Sequence, residues 1–120
     1  MPRTLVVKAA TGAADPERCA QALTVAAAAA SSGVSVSLWL AADAAWLAVP
    51  GSASEIKLEG APDLGDLLDM ILETGRVTLC SQCAARRDLT QADIVPGIKI
   101  AGAATFVSEI TAADVQALVY

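Results

Sequence analysis

Cys80 and Cys83, spaced C-x-x-C in Leu79-Cys80-Ser81-Gln82-Cys83, are the side chains whose type and spacing point most directly to chemistry. Val77 to Leu79 read as a short β-rich run entered from Gly75, and Cys83 to Arg87 read as helix-forming sequence. The thiols therefore fall where a strand hands over to a helix. In an open parallel sheet, ligands bind in the crevice at the carboxyl ends of the strands, and a helix starting there directs unpaired N–H groups into it. A thiol in that place meets partial positive charge, which favours its thiolate. Arg86 and Arg87 follow further along the helix and are candidates to add to this field and to bind an anionic substrate.

The thiol pair admits four readings. As half of a zinc site it lacks a second pair and any histidine, so ligands would have to come from another subunit. As a thioredoxin-type redox pair it has the right spacing at a helix start. As a plain structural feature it is two small side chains packed at a corner, since free cysteine is among the most buried residue types. The fourth reading, and our working expectation, is a nucleophilic Cys80 thiolate that accepts or passes on sulfur, with Cys83 as a resolving thiol. The chain has no histidine, which excludes mechanisms built on an imidazole base and removes the commonest metal ligand. Neither a resident metal nor a cofactor is expected.

At 120 residues the chain is read as a single domain over 1–120. Apolar residues make up 55% of it and aromatics 3%, so the core must be packed from Ala, Val, Leu and Ile. A net charge of −5, from 13 acidic and 8 basic residues, offers no electrostatic footprint for nucleic acid or an anionic membrane. No apolar run approaches the roughly 18 to 20 residues of a membrane span. The opening Met1-Pro2-Arg3-Thr4-Leu5-Val6-Val7-Lys8 is cut off by Lys8 before it reaches the length of a leader's apolar region. A cytoplasmic protein with reduced, working or buried thiols is the expectation.

The elements that must position the thiols alternate between strand and helix. Thr4 to Ala9 is nearly continuously apolar, as a strand covered on both faces reads. Asp15-Pro16 gives an N-cap and a first helical residue for a helix that runs through an alanine block to Ser32, with Gly33 at C′. Val34 to Leu40 alternates as a second strand, and Asp43 is predicted to cap a short helix over Ala44 to Val49. Residues 50 to 62 read as irregular, with a brief extended piece at Glu55 to Leu58, and are a lid or subunit-contact candidate. From Asp63, the spacing of Leu64, Leu67, Leu68 and Ile71 predicts an amphipathic helix ending at Gly75. After the thiols, Thr90 to Asp93 carries a capping signal, Ile98 to Ala101 is a short strand, Gly102 opens a helix containing Phe106, and Val115 to Tyr120 is a last strand. This order predicts an α/β fold with a mostly parallel five-stranded sheet between helical layers.

Other candidates are weaker. Thr11 and Gly12 are placed to line the crevice as substrate-binding residues but lack the glycines of a phosphate-binding fingerprint. Cys19, on an alanine-rich helix, reads as a packed thiol outside the site. Trp39 and Trp46 read as core or interface, and with the alanine-rich first helix they predict self-association.

The strand ending in Thr78-Leu79-Cys80, the following Cys83-Ala84-Ala85-Arg86-Arg87 and the later Ile94-Val95-Pro96-Gly97-Ile98-Lys99-Ile100-Ala101-Gly102 resemble the DsrE/DsrF-like family, which is related to sulfur-relay subunits of the TusD type. Asp88 stands where that family often has glycine. The resemblance implies a three-layer α/β/α fold, assembly as a trimer or hexamer, and a persulfide-carrying role for Cys80 towards a sulfur donor or acceptor protein. A non-catalytic, oligomeric small-ligand-binding or scaffold protein of the same fold is the alternative.

Overall fold

β1 (Thr4–Ala9), β2 (Ser35–Leu40), β3 (Arg76–Cys80), β4 (Lys99–Ala101) and β5 (Val115–Val119) pair in parallel in the order β4-β3-β2-β1-β5. The computed structural model describes residues 3–120; Met1 and Pro2, which open the segment read for a leader, lie outside the described residues.

The topology decides what covers each face. From β1 to β4 the chain steps across the sheet in one direction, so right-handed crossovers place α1 (Pro16–Ser31) and α3 (Leu64–Thr74) side by side on one face. β5 then returns to the far side of β1. That reversal sends α5 (Ala103–Ile110) over the opposite face. The first face is the main core, where Val7, Ala9, Val36, Leu38, Leu40, Val77 and Leu79 meet Ala22, Leu23, Ala26, Leu68 and Ile71. Small alanines let α1 lie close to the strands without leaving voids.

The second face is held by α5 through a polar clasp. Glu109 Oε1 accepts from Ser37 Oγ at 2.6 Å and from Trp39 Nε1 at 3.1 Å, and Phe106 meets the Trp39 ring edge-on with centroids 5.3 Å apart. Trp39 is only 2% exposed, so of the two readings open for it, core and interface, it takes the core one. Ser37 is fully buried for the same reason. Beyond that clasp the layer is thin: Val107 is 52% exposed and Val119 66%.

Local signals give most helix ends. Asp15 Oδ1 accepts from the Arg18 N–H at 3.2 Å with Pro16 in the first turn, and Gly33 takes φ +83° after the helix. Asp63 caps α3 through the Asp66 N–H at 3.2 Å. Thr90 and Asp93 form a reciprocal capping box on the 3-10 turn Gln91–Asp93.

Two expectations fail, both through contacts distant in sequence. Asp43 does not cap a helix: its Oδ2 accepts from the Ala14 N–H at 3.3 Å, and a 3-10 helix runs over Ala42–Ala48 instead. In residues 50 to 62, read as irregular with a brief extended piece at Glu55 to Leu58, α2 (Ser52–Glu55) forms a helical turn against α3, tied by Ser54 Oγ to Asp63 Oδ1 at 2.8 Å.

α4 (Ser81–Arg86) ends in a Schellman turn, with the Leu89 N–H on Ala84 O at 2.9 Å and the Asp88 N–H on Ala85 O at 3.2 Å. Asp88 adopts φ +54° there. This is the conformation that glycine takes without cost and that an aspartate tolerates better than most side chains.

Candidate functional site

β3 passes into α4 with no connecting residue, so Cys80 is both the last strand residue and the N-cap of the helix. Side chains alternate along β3: Val77 and Leu79 are buried in the main core, which turns Thr78 and Cys80 towards the α5 face. Cys80 is half-buried, whereas Cys83, one turn along the helix, is 7% exposed. The Cys83 sulfur accepts the Ala42 N–H at 3.1 Å, and Ala42 takes φ +48°, a left-handed conformation unusual for alanine. That bond ties the helix to the chain leaving β2.

All three cysteines are free thiols, and their environments differ sharply. Partial burial of Cys80 works against its thiolate. That effect is outweighed by the backbone N–H and thiol of Cys83, the Gln82 N–H and the charge of Lys8, which together hold the Cys80 thiol below its ordinary value. None of these is a full side-chain capping bond, and α4 is too short for a large macrodipole. Cys19 is the opposite case: burial first, then the carboxylates of Asp43 and Asp15, push its thiol up to about 11. The stability gained from keeping Cys19 protonated is therefore present at neutral pH and is lost as pH rises from the ordinary thiol range towards that value.

The structure brings Cys80 and Cys83 together but disperses the other residues named from the sequence. Arg87 donates from Nη1 to Cys83 O at 3.1 Å and stacks over the exposed Trp46 ring at 5.9 Å, so it braces the outside of α4. Arg86 is exposed in the last turn. Lys8 on β1 is the cation whose charge lowers the Cys80 thiol, and both arginines stand towards the far end of the helix. Gly12 is buried where two loops touch: a Cβ there would lie 2.7 Å from the Asp43 carbonyl oxygen. Its role is this close approach. Thr11 Oγ1 is buried without a hydrogen-bond partner among the described residues.

The sequence reading passed over Lys8 as a partner of the thiol. Its signal was a charge interrupting an otherwise apolar central strand. At the other edge of Cys80, the β4–α5 junction crowds the start of α4, since a Cβ on Gly102 would come within 3.0 Å of Ser81 Oγ. Of the depressions on the surface, one of about 520 Å³ lies between Asp15, Arg18 and Tyr120 and another of about 370 Å³ beside Asp43 and Trp46, and Cys80 lines neither. Among the described residues, no cluster of three or more His, Cys, Asp or Glu is placed to hold a metal ion.

The sequence profile of the DsrE/DsrF-like family matches residues 5–116. The chain belongs to the DsrE/DsrF-like family. Its fold is similar to that of the solved YchN protein of E. coli, with a TM-score of 0.81 at 20% identity over the whole of both chains. A protein of unknown function from Methanobacterium thermoautotrophicum, MTH1491, also superposes over the whole of both chains, with a TM-score of 0.59 at 10% identity. At those identities the likeness concerns the fold. In sequence, this DsrE/DsrF-like chain is 29% identical over 107 residues to the uncharacterized protein MJ0760 of Methanocaldococcus jannaschii; the match takes in 88% of the chain and 39% of that relative's length.

The contrast between thiols predicts their order of reaction. In the folded protein at neutral pH, a limiting amount of a small neutral alkylating reagent should label Cys80 first and leave Cys19 untouched until the protein is unfolded, as read by peptide mass mapping. Labelling of Cys19 as fast as Cys80 would contradict the environments described.

Proposed function

We propose that this DsrE/DsrF-like chain is a sulfur carrier in which Cys80 accepts a sulfane sulfur atom as a persulfide. The observation that carries the reading is the separation of the thiols: Cys80 is half-exposed and held below the ordinary thiol value, while Cys19 is sealed and pushed up to about 11. The thiolate is the nucleophile, so Cys80 is ready to react without a general base, which suits a chain lacking histidine. In the loading step the Cys80 thiolate attacks the outer sulfur of a donor persulfide, R–S–SH. A new sulfur–sulfur bond forms on Cys80, the donor's bond breaks, and R–S⁻ leaves; no net electrons are gained or lost. The reverse of this step on a second thiol delivers the sulfur.

Cys83 gives the pair a second outcome. Its thiolate can attack the inner sulfur of the loaded Cys80, forming a Cys80–Cys83 disulfide and expelling HS⁻. The contact between the two thiols favours this and equally supports the thiol–disulfide redox reading. Three unpaired cysteines suit a reducing compartment, and we infer a cytoplasmic location. Among the described residues, no helix is long and apolar enough to cross a membrane.

The carrier reading is tested by intact mass after incubation with a low-molecular-weight persulfide. The wild-type chain should gain one sulfur atom, Cys80→Ser should gain none, and Cys83→Ser should load and keep its sulfur longer. Loading that survives Cys80→Ser would overturn the assignment. A folded wild-type chain that gains no sulfur, with Cys80 reacting no faster than a free thiol, would favour the scaffold reading.

We further infer that the chain self-associates, as the resemblance implies, through the thinly covered layer of α5 and β5, where Val107 and Val119 are exposed. Light scattering at micromolar concentration should report a mass above that of the monomer, with a trimer or hexamer expected. A monomer alone would contradict this inference.

A further inference from the structure

Lys8 is an odd residue for its place. It sits in the central strand β1 between Val7 and Ala9, both fully buried, and in register with Trp39 of β2 and Val119 of β5. Trp39 is in turn in register with Thr78 of β3. Alternation along each strand therefore puts Lys8 on the same face as Thr78 and Cys80. Lys8 itself is partly exposed, so its stem packs on this face while its charge keeps access to water. The carboxylate on this face, Glu109, is taken by Ser37, Trp39 and, at 3.9 Å, Arg76. Lys8 makes no ion pair with a carboxylate among the described residues. Its ammonium lies instead 5.0 Å from the centroid of Phe106, a cation–π contact that fixes its position without neutralising it. A methionine or leucine would pack against Phe106 and Trp39 equally well, so packing alone gives no reason for a charge here.

We propose that Lys8 is the positioning cation of the Cys80 site, an ammonium held on the thiol-bearing face of the sheet to attract and keep a negatively charged sulfur there. The inference rests on the carrier reading of Cys80 and adds a residue to it. Lys8 favours the charged form of Cys80, and a persulfide, more acidic than its parent thiol, is held by the same charge after loading. The other charged or titratable groups facing this region are the Cys83 thiol on α4, the mutually paired Arg76 and Glu109, and Lys99 on β4, in register with Thr78. Arg86 and Arg87 lie at the far end of α4. Phe106 gives α5 a second task beyond covering Trp39: it seats the ammonium.

The test uses the full chain and its Lys8→Met, Lys8→Gln and Lys8→Arg variants, with two readouts. The first is the alkylation rate of Cys80 by iodoacetamide as a function of pH. The second is sulfur gain from a low-molecular-weight alkyl persulfide. Both neutral variants should move the rate profile to higher pH and lose reactivity severalfold at neutral pH, while the plateau reached in alkali is unchanged; Lys8→Arg should restore the profile. A residue that only supported the fold would alter the plateau or the melting temperature and leave the midpoint in place. If either folded neutral variant gives a profile superposable on the wild type while loading is intact, the Lys8 inference falls and the carrier reading stands. If the wild type gains no sulfur but the neutral variants still shift the profile, the carrier reading falls and the role of Lys8 towards an anionic sulfur stands.

Discussion

Everything about the thiol site follows from β3 and α4 meeting without a loop. Because the last strand residue is also the helix N-cap, the Cys80 sulfur faces the Gln82 and Cys83 N–H groups, and Cys83 is turned inward towards the chain leaving β2. A longer connection would release both thiols from that geometry. The bond from the Ala42 N–H to the Cys83 sulfur then sets the distance between α4 and the 3-10 helix Ala42–Ala48, at the cost of a left-handed alanine. Strain of this kind persists only where surrounding structure over-determines it. Here the surroundings are the buried side chains of Ala41, Ala44 and Ala84.

The second constraint is topological. The reversal between β4 and β5 leaves one short helix to cover the face on which Cys80 opens. With so little apolar area available, α5 is held by a polar clasp: Glu109 satisfies Ser37 and Trp39, which would otherwise be buried without partners. The same thin layer leaves the sulfur accessible, keeps Lys8 next to a π-face instead of a carboxylate, and exposes Val107 and Val119.

What was legible in the sequence was local. The strand-to-helix junction at Cys80, the caps Asp15 and Asp63, the Thr90–Asp93 box and the apolar stripe of α3 all depend on neighbours within a few residues, and they form as read. The alternation of strands and helices carried the fold, including its parallel sheet. Contacts between distant segments were not legible. Asp43 looked like a helix cap but finds Ala14, and Trp39, readable as core or interface, is placed in the core only by the covering α5. Arg86 and Arg87 drew attention because they are near Cys80 in sequence. Lys8 acts on that thiol from a strand two positions away in the sheet, a relation that only the strand order reveals.

These strands join in one physical claim: position, without an imidazole base, sets the thiol of one of three cysteines below its ordinary value while another is pushed up. The most direct measurement is a pH titration of the folded chain by NMR with cysteine labelled at Cβ, which follows each thiol separately. The account predicts that Cys80 titrates below the ordinary thiol value and Cys19 near 11. Titration of Cys80 at or above the ordinary thiol value in the folded chain would contradict it.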